Sequence, residues 1–265
     1  MGIGGQLMWT PLAKELYEKH NKKVVFYNSG GIIKDNIWIN NPYISFIKTN
    51  DTISINLQKY NRHFRKEMSL EQHGVLTRCL FYNITPKSLY PILKYTDKEE
   101  EKIKRLLRFL PKKFLCIEPH SKTSYTQNKS FSFRKWQNVV NELIKHNITI
   151  VQVSIPSRTL LDNVIDFRRR LSSFRECACL LKHCSLFIST EGGLMHASVA
   201  NQNRSFILYS PMFHPKYTLY DIVEHLWVHT DEHQACIKVK PCRNCINQMK
   251  NYDEKKIIKK ILEIY

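Results

Sequence analysis

The chain has 265 residues, enough for two ordinary domains or one large one, and a hydrophobic content of 43% excludes wholesale disorder. Lys and Arg number 41 against 23 Asp and Glu, a formal charge of +18 that attracts phosphorylated substrates, anionic lipid surfaces or nucleic acid. No apolar run approaches the roughly 20 residues of a membrane span, no basic-then-apolar leader opens the chain, and the 8 cysteines are irregularly spaced, which together point to reduced thiols and a cytoplasmic setting.

From the start, Gly2, Gly4 and Gly5 run into a segment with Leu12, Leu16 and Tyr17 at helical spacing and Pro11 in a first turn. A glycine loop opening into a helix is the outline of an anion cradle, although such loops normally follow a buried strand and here only Met1 precedes. Residues 24–27, 44–47 and 53–57 read as short strands broken by Asn, Gly and Pro punctuators, and 67–81 as a weakly patterned helix. Residues 97–110 read as a helix with acidic first turns, basic later turns and Pro111 as its stop; this helix and its basic flank mark a domain boundary, giving domains 1–110 and 111–265.

Beyond it the rhythm is regular. Strands are expected over 114–118, 148–155, near 164–165, over 186–189 and over 205–209. Helices are expected over 133–146, 174–183, 194–201 and, amphipathic, 255–265. Alternating strands and helices imply a parallel, doubly wound α/β sheet. The stretch from Ser189 to His196 organises this half: strand, two-glycine turn at Gly192 and Gly193, then helix. The first amides of such a helix favour an anion, and ligands of open parallel sheets bind at strand carboxyl ends. The plain alternative is a βα turn whose glycines only permit tight packing.

Three landmarks resemble glycosyltransferase family 9, the heptosyltransferase-like enzymes of lipopolysaccharide assembly. Thr190-Glu191-Gly192-Gly193-Leu194-Met195-His196-Ala197 is similar to that family's Asp-Ser/Thr-Gly-x-x-His signature, Phe133-Arg134-Lys135-Trp136 to its Lys-x-Trp or Arg-Trp element, and the run from Gly2 to Pro11 to its N-terminal Gly-x-Gly-Asp-x-x-x-x-Thr-Pro loop. The resemblance implies a GT-B architecture: two Rossmann-like domains facing a cleft, the N-terminal one here without its usual first strand. It implies a glycosyltransferase moving a heptose-like sugar from a nucleotide-sugar donor, ADP-heptose-like, to a glycan or lipopolysaccharide-type acceptor. It further implies donor contacts from Ser121, Lys122, Lys135, Glu191, Gly192, Gly193, Met195 and His196, and an acceptor-side loop of Gly4, Gly5, Gln6 and Thr10. The leaving diphosphate gains negative charge, so a lysine at its side makes physical sense.

The family's loop aspartate, expected to act as general base, aligns with Gly5, which cannot accept a proton. Asp35, Glu118 and Glu191 are then the candidate carboxylates, and a non-catalytic nucleotide-sugar-binding relative is the alternative function. Transfer in GT-B enzymes of this type needs no divalent ion. Cys236, Cys242 and Cys245, with His229 and His233 upstream, form a separate candidate site for a structural zinc or iron, and certain related heptosyltransferases bind a metal in this region. The positive charge fits an acidic glycan or lipid-linked acceptor and peripheral contact with the inner membrane face. The Arg168-Arg169-Arg170 and 102–108 clusters carry no RNA-binding or finger signature, so nucleic acid ranks low.

Overall fold

The computed structural model describes residues 2–61, 72–154, 158–229 and 235–265. The chain divides into two compact units, Met1–Thr96 with Lys216–Tyr220, and Asp97–Pro215 with Asp221–Tyr265. The division falls ahead of the 97–107 helix rather than after it, at 96/97 instead of 110, because that helix is tied by charge to the second unit's own helices.

Unit 1 opens with α1 (Ile3–Leu7) and α2 (Thr10–His20), followed by β1 (Lys23–Asn28), β2 (Gly31–Ile32), a short 3-10 helix (Asn36–Trp38), β3 (Thr52–Asn56) and α3 (Gly74–Phe81). Here β1 lies between β2, antiparallel, and β3, parallel. The expected strand at 44–47 is reduced to one bridge between Val24 and Ile44. Of the expected 67–81 helix, residues 67–71 lie outside the described residues. Trp9, fully buried, packs 4.9 Å from the Tyr60 ring and 5.8 Å from Phe26, which in turn lies 4.8 Å from Trp38. Segment 216–220 belongs to this unit because Tyr217 sits so close to Gly74 that a Cβ there would lie 3.1 Å from its ring.

Unit 2 holds α4 (Asp97–Leu107), β4 (Leu115–Glu118), α5 (Phe133–Lys145), β5 (Ile150–Gln152), β6 (Ile165–Asp166), α6 (Phe174–Leu181), β7 (Leu186–Thr190), α7 (Gly193–Ala200), β8 (Ser205–Tyr209), β9 (Val223–Trp227), α8 (Arg243–Asn251) and α9 (Glu254–Ile264). The strands form one six-stranded sheet in the order β6-β5-β4-β7-β8-β9, every pair parallel. This is the doubly wound order 3-2-1-4-5-6, whose winding reverses between β4 and β7. All five residues of β7 and of β8 are buried, as expected for central strands covered by helices on both faces. On one face α5 presents Trp136, Val139, Val140 and Leu143 to a core shared with Ile257 and Ile261 of α9. β9 and α8 had no counterpart in the sequence reading; β9 mixes Glu224 and His225 into its run, as suits an edge strand. Among the described residues no helix is long and apolar enough to cross a membrane.

Helix α4 docks on α6 through a largely buried bidentate pair, Arg175 Nε and Nη2 donating to the two Glu99 oxygens at 2.7 Å each. Lys102 to Glu176 and Lys182 to Glu100 flank it, both at 2.6 Å. Removing one partner strands a buried charge, so Glu99→Ala should cost about 3 kcal/mol in urea unfolding. The Glu99→Leu, Arg175→Leu double variant should recover most of that loss, since two apolar side chains leave no orphaned charge.

Candidate functional site

The reversal between β4 and β7 fixes where a ligand of unit 2 would lie. At this point Glu118, the last residue of β4, is in register with Ser189 of β7. Two loops leave the sheet side by side here: 119–132 after β4, and the Glu191-Gly192 turn into α7. Such a switch point is the general ligand crevice of open parallel sheets.

The turn is built as the sequence suggests, with one change. Gly192 has φ 179, extended backbone open to any residue, and a Cβ added there would meet only the Thr190 carbonyl at 3.8 Å. Neither glycine of the pair is needed for left-handed geometry; among the described residues the glycine in that range is Gly31, with φ 102. What the pair leaves is a bare approach to α7, whose N-terminus has no side-chain cap. Its first-turn amides are therefore directed at the crevice.

The cation at this turn is Lys129, not Lys135. Lys129 forms a salt bridge with Glu191, the two side chains 13% and 10% exposed. Its ammonium also lies 5.1 Å from the Phe213 ring centre and 5.9 Å from Tyr125. Lys135 sits in the first turn of α5 and is engaged elsewhere: its Nζ donates to the Tyr252 carbonyl at 2.5 Å and pairs with Glu254 at 3.2 Å, fastening α5 to α9. The signal for Lys129 was positional: it lies in the loop at the strand's carboxyl end, whereas Lys135 lies on a helix already committed to the core by Trp136.

The other expected donor residues divide. Ser121 is near the turn's loop, sharing a 2.8 Å hydrogen bond with Ser130, and Lys122 is exposed, its carbonyl accepting from Tyr125 at 3.0 Å. Met195 is a core residue: fully buried, its sulfur accepts from the Tyr209 hydroxyl at 3.1 Å. His196, in the first turn of α7, is 2% exposed. Glu118 is a partly buried carboxyl whose desolvation, opposed by Arg158, raises its pKa to about 8, so it carries a proton at neutral pH. A protonated carboxyl donates a hydrogen bond but takes no proton, which weakens Glu118 as a general base.

In unit 1 the expected glycine loop is a helix. Gly4 and Gly5 lie within α1, and the Gln6 and Met8 amides donate to the Gly2 and Gly4 carbonyls at 3.1 Å each. The bonded amides are those of Gln6 and Met8, while the Gly4 and Gly5 amides lie in the first turn of α1, where a helix leaves its N–H groups without an intrahelical partner. Thr10 is fully buried, its hydroxyl donating to the Leu7 carbonyl and accepting from the Ile92 amide, both at 2.7 Å, so it holds the fold together. Asp35 does reach this place: Oδ2 accepts from Gln6 Nε2 at 2.6 Å and Oδ1 from the Ile37 amide at 3.0 Å.

All eight cysteines are unbridged, and Cys177, Cys179 and Cys184 are buried core residues. The sulfurs of Cys236, Cys242 and Cys245 lie within 4.8 Å of one another, with Cys236 and Cys245 at 3.1 Å. A tetrahedral thiolate site with metal–sulfur bonds near 2.3 Å separates its sulfurs by about 3.8 Å, so the donor set fits a zinc or iron ion after a small adjustment. The Cys245 backbone amide and the neighbouring thiols hold the Cys242 thiol below its ordinary range, while burial pushes Cys245 up. His233 lies outside the described residues, and His229 stacks on Trp227 at 3.9 Å.

The model of glycosyltransferase family 9 (heptosyltransferase) matches residues 42–246. The chain belongs to that family. A comparison with curated proteins returns no match. The fold is similar to a family 9 glycosyltransferase from Veillonella parvula (TM-score 0.73, 12% identity, covering 100% of this chain and 94% of that one). It is also similar to Escherichia coli ADP-heptose LPS heptosyltransferase II (0.63, 10%, 100% and 96%). A third likeness is to the iron-containing dodecameric glycosyltransferase TibC of enterotoxigenic E. coli (0.68, 15%, 99% and 74%). At these identities the likeness shows the fold, the GT-B-type α/β fold of heptosyltransferases.

Glu118 yields a pH prediction. Its folded pKa of about 8 lies above the ordinary 4.5, so the folded state holds the extra proton. The stabilisation is full below pH 4.5 and is lost as pH rises through 8, on the order of a few kcal/mol. Denaturation midpoints measured across that range should fall with pH in the unaltered chain and stay flatter in Glu118→Gln.

Proposed function

We propose that this protein moves a heptose-like sugar from a nucleotide-sugar donor, of the ADP-heptose kind, to a hydroxyl of an acidic glycan or lipid-linked acceptor. The observation that carries the reading is the Lys129–Glu191 pair at the uncapped start of α7, at the sheet's switch point. A cation and a set of free helix amides suit a diphosphate, with Lys129 exchanging the Glu191 carboxylate for phosphate oxygens and Glu191 turning to sugar hydroxyls. TibC has been solved with ADP-D-β-D-heptose, which supports the choice of donor class.

In the transfer, the acceptor oxygen bonds to the anomeric carbon as its proton passes to a carboxylate. The bond from that carbon to the diphosphate oxygen breaks, and the electron pair stays on the diphosphate. Lys129 and the α7 amides meet the charge that develops there. Asp35, which accepts from Gln6 where Gly5 offers no carboxylate, is the candidate to take that proton. Protein groups thus carry the transfer step, and the thiol cluster would hold a zinc or iron ion in a structural role. The exposed Lys104, Arg105, Arg108, Arg169 and Arg170, with exposed Phe109 stacked 5.5 Å from Arg170, give unit 2 a basic and aromatic face suited to an acidic acceptor or an anionic cytoplasmic membrane face.

Calorimetry with ADP separates the two lysines. Lys129→Ala should weaken binding about tenfold or more, the scale of a lost charge-assisted contact, while Lys135→Ala should leave it within about twofold. The reverse order would return the phosphate role to Lys135. Asp35→Asn should preserve ADP affinity and lower kcat by about 100-fold or more. Donor binding with no turnover in the unaltered chain would favour the alternative, a nucleotide-sugar-binding relative without a base, which Gly5 motivates.

A further inference from the structure

The thiol cluster and the Lys129 loop are far apart in sequence, yet one side chain joins them. Asn128 is fully buried and spends its amide on the segment that carries the cysteines. Its Nδ2 donates to the Lys238 carbonyl at 2.7 Å and to the Lys240 carbonyl at 3.0 Å, and its Oδ1 accepts from the Cys242 amide at 2.8 Å. Its own backbone amide donates to the Thr126 hydroxyl at 3.1 Å, so the loop side is fixed as well. The next residue is Lys129. A second strap runs in parallel: the Ile237 amide donates to the Met212 carbonyl at 3.0 Å, and Met212 adjoins Phe213, whose ring faces the Lys129 ammonium. Ile237 holds φ 55, a left-handed backbone that a β-branched residue adopts only when its surroundings enforce it. The 236–242 segment is therefore gripped at both sides of the Lys129 site.

We infer that Asn128 is a positioning residue that couples the Cys236, Cys242 and Cys245 cluster to the Lys129–Glu191 pair, so that closing the three thiols around a soft cation raises the affinity for a nucleoside diphosphate. The inference rests on the donor-site reading above. Its physical basis is rigidity. With the cluster closed, the carbonyls of 238 and 240 and the amide of Cys242 are fixed, and Asn128 then has one arrangement in which all three bonds form. Lys129, one bond along the backbone, is held where a diphosphate meets it. With the cluster open, the same amide follows a looser segment, and ligand binding must order the loop first, which lowers apparent affinity.

The experiment uses zinc as the cation and ADP as the diphosphate, with zinc content measured by elemental analysis and ADP affinity by calorimetry on the full chain. In the unaltered protein, zinc loading should tighten ADP binding by about fivefold or more, the ordinary scale of coupling between sites. Asn128→Ala should still take up zinc but lose the zinc effect on ADP. Asn128→Asp, which turns a carboxylate oxygen toward the two carbonyls, should lose the zinc effect as well, and Cys245→Ser serves if neither variant folds. Cys245→Ser tests the other end: it should bind ADP as the zinc-free protein does, with or without zinc. In Lys129→Ala the zinc effect should disappear, since the coupling acts through that ammonium.

An equal zinc effect in Asn128→Ala, no zinc uptake by the unaltered chain, or ADP affinity indifferent to zinc would overturn the coupling and leave the donor site standing. Failure of the unaltered chain to bind ADP under any condition would overturn both.

Discussion

The parallel pairing of β4 with β7 is the constraint on which the second unit depends. A βα unit must cross right-handed, so a sheet that begins in its middle and winds outward both ways leaves a gap between the loops of its two central strands. That gap is set by backbone hydrogen bonds between two fully apolar strand bodies, Leu115 to Ile117 and Leu186 to Ile188. Nothing polar is needed to create it. Polar groups enter only at its rim, where Glu118 ends one strand and Ser189 and Thr190 end the other, and it is at this rim that burial pushes the Glu118 carboxyl up to about 8.

Charge in this protein is abundant but sorted. Much of the excess of lysine and arginine lies on exposed helix faces, where water screens it, and several acidic partners are spent on holding helices together, as in Arg175 with Glu99 and Lys135 with Glu254. The Lys129–Glu191 pair differs from these in location. It joins no two helices; it spans the mouth of two loops beside an uncapped helix start. An ion pair in that position holds its cation ready and is exchangeable, whereas Lys135 is fastened to a carbonyl and a carboxylate whose loss would loosen α9.

The first unit shows how a family pattern can persist while its local structure changes. The residues from Gly2 to Pro11 resemble a loop, yet they form α1 and the start of α2, with Trp9 driven into the core between them. Burial of the Trp9, Leu7 and Leu12 side chains far outweighs the small helix penalty of Gly4 and Gly5. Gly5 offers no carboxylate here, and one that does reach this segment is Asp35, which accepts from Gln6.

The α/β rhythm of unit 2, the βα turn at Glu191 to Gly193 and the grouping of three cysteines were legible along the chain, because each is written in local periodicity or short spacing, and the family was legible through the likeness of three motifs. Amphipathic spacing in α5 and the apolar run of β7 show that both are buried: a helix with Trp136, Val139, Val140 and Leu143 on one side must cover that side with other apolar groups. Tertiary structure alone decided which lysine meets the turn, that Asn128 bridges loops more than 100 residues apart, that Met195 faces the core, and that the 97–107 helix belongs to the second unit. The reason is physical. A lysine side chain reaches in whatever direction its backbone aims it, so six positions along the chain separate a residue paired at the turn from one fastened to the last helix. Local sequence encodes that direction only after the sheet order has been fixed.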